Sequence, residues 1–191
     1  MPSQQKFPEL ENLVKIATVL DGLKIPYYVT GGFAVSIYGR PRFTADIDIV
    51  IKMASGVKKD FAKKIGKIFP KGYVDEDQID DALNQVSEFN VIDPESGLKI
   101  DFFITKENDF EKGVFKRALI QNIDYEIKFI SPEDLIISKL LWFKMGQSTR
   151  QLEDISSVLT IQKKIDKTYL KKWIIKLDLE KEWQKLNEKN R

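Results

Sequence analysis

The chain has neither cysteine nor histidine among its 191 residues. Without Cys there is no disulfide framework, no thiol nucleophile and no Cys-ligated metal, and nothing marks an oxidising compartment. Without His there is no imidazole base, no His-bound zinc and no Ser-His or Cys-His relay. Proton transfer falls to Asp, Glu, Lys, Tyr or water, so carboxylate chemistry becomes the first enzyme reading. Long apolar runs are missing too. No stretch approaches the roughly twenty apolar residues that span a bilayer, and the N-terminus MPSQQKFPELENLVKI has no basic segment followed by an apolar run. The expectation is a soluble, cytoplasmic protein with no membrane contact. Internal repeats and low-complexity linkers are also absent.

The length suits one ordinary domain, or a domain with a helical appendage, that buries roughly 70% of its extended surface. Basic and acidic residues nearly balance, 31 against 29, for a net charge of +2. They are unevenly placed. Acids crowd into 75–81 (Asp75, Glu76, Asp77, Asp80, Asp81), and lysines are dense from Lys163 to Lys189. Solvated helix faces explain both clusters; nucleic-acid contact is permitted but not required.

Apolar positions recur at helical spacing over 8–24, with Leu10, Leu13, Val14, Ile16, Ala17, Leu20 and Leu23 on one stripe. Pro26–Thr30 reads as a short strand stopped by Gly31-Gly32, with a short helix over 33–38. Residues 45–51 alternate and are β-branched, as a strand requires. A helix over 57–69, and a short helix or exposed loop over 75–84, precede two extended runs at 87–92 and 98–105. The turn-rich Asp93-Pro94-Glu95-Ser96-Gly97 joins these runs as a hairpin. A helix near 107–118 leads to a last strand over 123–130, and Ser131-Pro132-Glu133-Asp134 is a good helix start. From Leu135 onward the pattern is helical, broken at Gly146-Gln147-Ser148-Thr149. The reading is therefore an α/β half over 1–130, with mostly local strand pairs, and a helical part over 131–191 packed on it.

In Asp46-Ile47-Asp48 the strand period of two sends both carboxylates to one face and Ile47 and Ile49 to the other. Like charges held together raise pKa or cost stability unless a cation neutralises them, and Mg²⁺ takes oxygen ligands from one or two carboxylates plus substrate phosphates. Gly31-Gly32, between a strand and a helix, allows close approach of a ligand to free backbone N–H groups; a simple tight turn explains it equally. Asp101 lies within Leu98-Lys99-Ile100-Asp101-Phe102-Phe103-Ile104, a run that suits a buried strand and does not normally carry a charge. If its strand pairs beside that of Asp46 and Asp48, three carboxylates converge opposite a phosphate-binding turn, as two-metal phosphoryl chemistry requires.

The run Val29-Thr30-Gly31-Gly32-Phe33-Ala34-Val35, followed by Tyr38-Gly39-Arg40-Pro41-Arg42-Phe43-Thr44-Ala45-Asp46-Ile47-Asp48-Ile49-Val50, resembles the DNA polymerase beta-type nucleotidyltransferase superfamily. Within it the chain is most similar to AbiEii-like nucleotidyltransferases. The downstream run Ser131–Leu140 and Gln151-Leu152-Glu153-Asp154-Ile155 also resembles that group, which carries a helical Lys followed by an Asp. The resemblance covers about 27–160. It implies a fold of class α/β (α+β), a small mixed β-sheet flanked by helices with a helical C-terminal part. The implied reaction is Mg-dependent transfer of NMP from an NTP to an acceptor hydroxyl, releasing pyrophosphate.

On that resemblance Gly31 and Gly32 seat the triphosphate, while Asp46, Asp48 and Asp101 hold Mg²⁺ or Mn²⁺. Asp101 is also a candidate base, and Lys139 joins the catalytic set. Arg40 and Arg42 are candidates for neutralising phosphate, and a solvent-facing loop suits them equally. Asp154 can instead pair with Arg150 one turn away. Trp142, Phe143, Trp173 and Trp183 are read as core residues, and Ser36 as bonded to its own helix or to a phosphate. The acceptor stays open among tRNA, a protein and a small-molecule hydroxyl such as an aminoglycoside or lincosamide. A toxin with an antitoxin partner and a resistance enzyme both remain compatible. The alternatives from other classes are a catalytically silent nucleotide-binding or antitoxin-like protein and, last, a Lys-rich nucleic-acid-binding module.

Overall fold

The computed structural model describes residues 8–42, 44 and 46–189. Phe43 and Ala45 of the motif, and the first seven residues, lie outside that set. The elements are α1 (Pro8–Gly22), β1 (Tyr27–Val29), α2 (Gly31–Tyr38), β2 (Asp46–Ile51), α3 (Lys58–Ile68), α4 (Glu76–Gln85), β3 (Glu88–Ile92), β4 (Lys99–Ile104), α5 (Asp109–Arg117), β5 (Leu119–Asn122), β6 (Glu126–Phe129), α6 (Pro132–Gly146), α7 (Thr149–Ile161), α8 (Lys167–Lys176) and α9 (Glu180–Lys189). The described strands form one mixed sheet in the order β3-β4-β2-β1-β6-β5.

The alternation of β2 decides how the sheet is used. Ile47, Ile49 and Ile51 are fully buried, and the residues between them face the other way. Register extends this division across the sheet. Ile47 lies opposite Ile100, which lies opposite Val91, and Ile49 opposite Phe102, itself opposite Phe89. Phe61 of α3 meets Phe89 and Phe102 edge-on, with ring centroids 5.9 and 5.2 Å away, and α3 packs against α1. Each such aromatic removes a large apolar area from water, and the edge-on geometry adds about 0.5–1.5 kcal/mol per pair.

Strand pairing is mostly local, in β1 with β2, β3 with β4 and β5 with β6, and two parallel pairs, β2 with β4 and β1 with β6, join these across long connections. Hydrophobic alternation fixes which face a strand buries but carries no information about which neighbour it pairs with. The single last strand over 123–130 is in fact the hairpin of β5 and β6. Its turn holds Asp124 at φ 57°. β5 is an edge strand with Leu119 and Ile120 exposed, so it lacks the alternation that reveals a half-buried strand.

The C-terminal helices share the core with the sheet. Ser131 caps α6 by accepting from the Asp134 N–H at 3.2 Å, with Pro132 in the first turn. The fully buried Asp134 carboxylate then gathers the neighbouring elements. It accepts from the hydroxyls of Tyr169 on α8 at 2.6 Å and Ser131 at 2.7 Å, and from Arg117 Nε of α5 at 3.3 Å. Burial pushes the Asp134 carboxyl above its ordinary range, against the pull of those donors. Among the described residues no helix is long and apolar enough to cross a membrane. Tyr169→Phe removes one donor from a buried acid, and the expected loss is about 1–3 kcal/mol of unfolding free energy, measured by urea denaturation against wild type.

Candidate functional site

The face of the sheet turned away from the isoleucines carries the acids. Asp48 and Asp101 are direct Cα partners on the parallel strands β2 and β4, and Asp46 lies opposite Lys99. Asp101 is buried, at 8% exposure, and Lys99 Nζ stands 2.8 Å from its Oδ1. Asp48 is half-buried. Burial and then the charge of Asp101 push its carboxyl up, while Lys139 and a hydrogen bond from the Gly32 N–H pull it down.

Close approach dictates both glycines, Gly31 by this carboxylate and Gly32 by Thr44. Gly31 takes φ 62°, a left-handed conformation that L side chains rarely adopt. A Cβ there would fall 1.7 Å from Asp48 Oδ2, and one on Gly32 would fall 2.5 Å from Thr44 Oγ1. The Thr30 N–H donates to the Asp48 carbonyl at 2.9 Å, pinning the end of β1 to β2. Helix α2 therefore starts against Asp48 without any side chain intervening.

A cleft of about 580 Å³ opens over this face. Gly31, Gly32, Arg42, Thr44, Asp46 and Asp48 line it, with Val50, Phe103, Trp142, Met145, Lys139 and Asp154. Asp101 and Arg40 are not among the lining residues. Arg40 sits exposed after α2, its backbone N–H donating to Ser157 Oγ at 2.5 Å. The structure thus brings Gly31, Gly32, Arg42, Asp46, Asp48 and Lys139 into one cleft, sets Asp101 beside Asp48 beneath it, and leaves Arg40 outside.

Asp154 departs from its expected pairing with Arg150. Arg42 grips it with two bonds, Nε to Oδ1 and Nη2 to Oδ2, each 3.0 Å, and Lys139 Nζ lies 2.8 Å from Oδ2. A buried acid takes the best desolvated donors that tertiary packing offers, and both are distant in sequence. Burial favours the neutral acid, yet Arg42 and Lys139 outweigh it and hold the carboxyl below its ordinary range. Ser36 accepts a long 3.5 Å bond from the Arg42 N–H and donates to the Gly32 carbonyl at 3.2 Å, so it ties the Arg42 segment to α2.

Trp142 is a site residue that sequence reasoning placed in the core. Phe143 and Trp173 are buried, but Trp142 is 48% exposed on the cleft wall and meets Phe103 at 6.0 Å between centroids. Trp142 lies three positions from Lys139 and Phe143 four, both on that side of α6, so spacing alone does not separate them. Gln151 also faces the cleft, and its Oε1 is buried with no hydrogen-bond partner among the described residues.

The donor set suits a hard cation, since it offers carboxylate oxygen and neither imidazole nor thiolate. Among the described residues no three acids are gathered tightly enough to cage a metal alone. An ion such as Mg²⁺ binds through one or two carboxylates and completes its shell with water and substrate phosphate. Burial and the neighbouring charge of Asp101 both raise the Asp48 carboxyl, and a bound cation would oppose each.

The same fold occurs in solved nucleotidyltransferases. The antibiotic-resistance factor ANT(2'')-Ia superposes with a TM-score of 0.57 at 12% identity, covering 96% of this chain and 98% of its own. The lincosamide antibiotic adenylyltransferase LnuA, lincomycin-bound, gives 0.52 at 20% identity over 80% and 97%. An antigenic nucleotidyltransferase-like protein from Paracoccidioides brasiliensis gives 0.50 at 20% identity over 80% and 75%. No curated protein matches the chain. Residues 16–185 match the model of the nucleotidyl transferase AbiEii toxin family, of type IV toxin–antitoxin systems, and the chain belongs to that family. It is a nucleotidyltransferase.

Two outcomes follow from this geometry. Gly31→Ala forces the Asp48 carboxylate aside and adds backbone strain of about 1 kcal/mol or more, so a lower melting temperature is expected in thermal denaturation. Asp154 contributes stability that is fully present above its unfolded value of about 3.9 and is lost as pH falls through the lower folded value. Asp154→Asn should therefore flatten the acid limb of a urea-denaturation stability curve between roughly pH 5 and pH 2.

Proposed function

We propose that the protein transfers NMP from an NTP to an acceptor hydroxyl, with Asp46, Asp48 and Asp101 as its metal ligands and Mg²⁺ or Mn²⁺ as the required ion. The observation that carries this reading is the in-register pair Asp48 and Asp101 beside the glycine start of α2. The bound ion would supply neutralisation of phosphate charge and a lowered pKa for the attacking hydroxyl.

The chain's own residues do the rest. Gly31 and Gly32 let the triphosphate approach the backbone at the start of α2, where free N–H groups favour an anion. Arg42 and Lys139 stand ready to move charge from Asp154 towards the β- and γ-phosphates. The acceptor oxygen forms a bond to the α-phosphorus as the bond from that phosphorus to the bridging oxygen breaks, and pyrophosphate leaves. Asp101 takes the hydroxyl proton, directly or through water, as the carboxylate base of a site without histidine. Arg40, outside the cleft, is proposed to meet only the outermost phosphate charge.

Trp142 and Phe103 give the cleft an aromatic wall one helical turn from Lys139, which supports stacking of the nucleobase beyond a ribose. The acceptor is a hydroxyl of tRNA, of a protein or of a small molecule; the supply of NTP places the reaction in the cytoplasm, and an antitoxin is the partner implied by the family. The 1–130 part is proposed as the catalytic domain and 131–191 as the helical part that completes the cleft.

Incubation with each α-labelled NTP, with Mg²⁺ or Mn²⁺, and with separate pools of tRNA, lysate protein, aminoglycoside and lincosamide should label one pool. Asp48→Ala is expected to reduce transfer by at least about 10³-fold, the scale on which catalytic electrostatic groups act. Transfer by Asp48→Ala at the wild-type rate overturns the assignment.

A further inference from the structure

Register places ten side chains on the cleft-facing side of the four strands β1 to β4. These are Tyr28 of β1; Asp46, Asp48 and Val50 of β2; Lys99, Asp101 and Phe103 of β4; and Glu88, Asn90 and Ile92 of β3. Four are acids and only Lys99 is a cation. Lys139 also approaches Asp48, but it comes from α6 and its ammonium is bound to Asp154 at 2.8 Å. Lys99 is different: its Cα partner is Asp46, and its Nζ is 2.8 Å from Asp101 Oδ1. The metal reading gives Asp101 to a divalent ion, yet here an ammonium holds it.

We infer that Lys99 is a resident counter-cation, which neutralises Asp101 when no divalent ion is bound and must release it before that ion can use the carboxylate. The inference rests on the metal reading above and adds a positioning residue to it. Two cations cannot share one carboxylate oxygen at close range without repulsion, so ammonium and metal compete. Lys99 is 39% exposed along a flexible stem, so it can swing outward at small cost. A triphosphate arriving beside the carboxylates offers it another anion. Metal binding and nucleotide binding then help one another, because the nucleotide removes the ammonium that the metal must displace. A simple structural salt bridge would stabilise the fold and leave metal affinity unaltered.

The test is titration of the full chain with Mn²⁺ alone, free ion being read by electron paramagnetic resonance, for wild type, Lys99→Arg, Lys99→Gln and Lys99→Met. Removing the charge is expected to tighten Mn²⁺ binding by about tenfold at low salt, the screened effect of one neighbouring charge. Lys99→Arg should stay near wild type, and the gain in melting temperature on adding Mn²⁺ should be larger for Gln and Met than for Lys. Equal or weaker Mn²⁺ binding by both neutral variants overturns the inference. An Asp48→Asn control separates the two levels: Mn²⁺ affinity unchanged in that variant would fail the metal reading itself, whatever Lys99 does.

Discussion

Two carboxylates side by side on adjacent parallel strands are costly. Asp48 and Asp101 sit in direct register on the face opposite the buried isoleucines, and their repulsion shapes much of what surrounds them. A side chain at Gly31 would collide with Asp48 Oδ2, so the helix behind it must begin on glycine. The Gly32 N–H and the Lys139 charge lean towards Asp48, and Lys99 towards Asp101. On the other side of the same strands, Ile47, Ile49, Ile100 and Phe102 are buried, with Phe61 of α3 against Phe102. That burial holds the acids in register. Shifting β2 by one residue would drive Asp46 and Asp48 into the core and its isoleucines into the cleft.

Much of this arrangement was legible in the chain because it depends on short-range period. Alternation over 46–51 gave the two faces of β2, and an acid inside the apolar run around Asp101 required a partner. The hairpin over 87–105, the capped start of α6 and the break near 146–149 rest on turn and capping chemistry that is equally local. What escaped was non-local or featureless. Parallel pairing cannot be read from pattern, and β5 has no buried face to give it one. The partners of Asp154 come from positions 42 and 139, so proximity in sequence pointed to Arg150. Trp142 resisted for another reason. An aromatic on an apolar helix is ordinarily core, and only the position of the cleft distinguishes it from its buried neighbour Phe143.

The cleft is a joint product of the two parts of the chain. Strands and α2 supply acids and glycines, whereas Lys139 and Trp142 come from α6 and Arg150 and Asp154 from α7. The start of α6 is fixed by the buried Asp134 cluster, which joins it to α5 and α8. The acids of the floor and the helices of the wall are thus held by different interactions.

Asp154 gives the wall a further property. Its carboxylate holds Arg42, on the segment after α2, and Lys139, on α6, while standing itself on α7. A phosphate that draws either cation away loosens a clasp between three separate pieces of backbone. Occupancy of the cleft and the docking of α6 and α7 are therefore thermodynamically linked: whatever holds the clasp shut weakens anion binding by the same free energy with which a bound anion opens it.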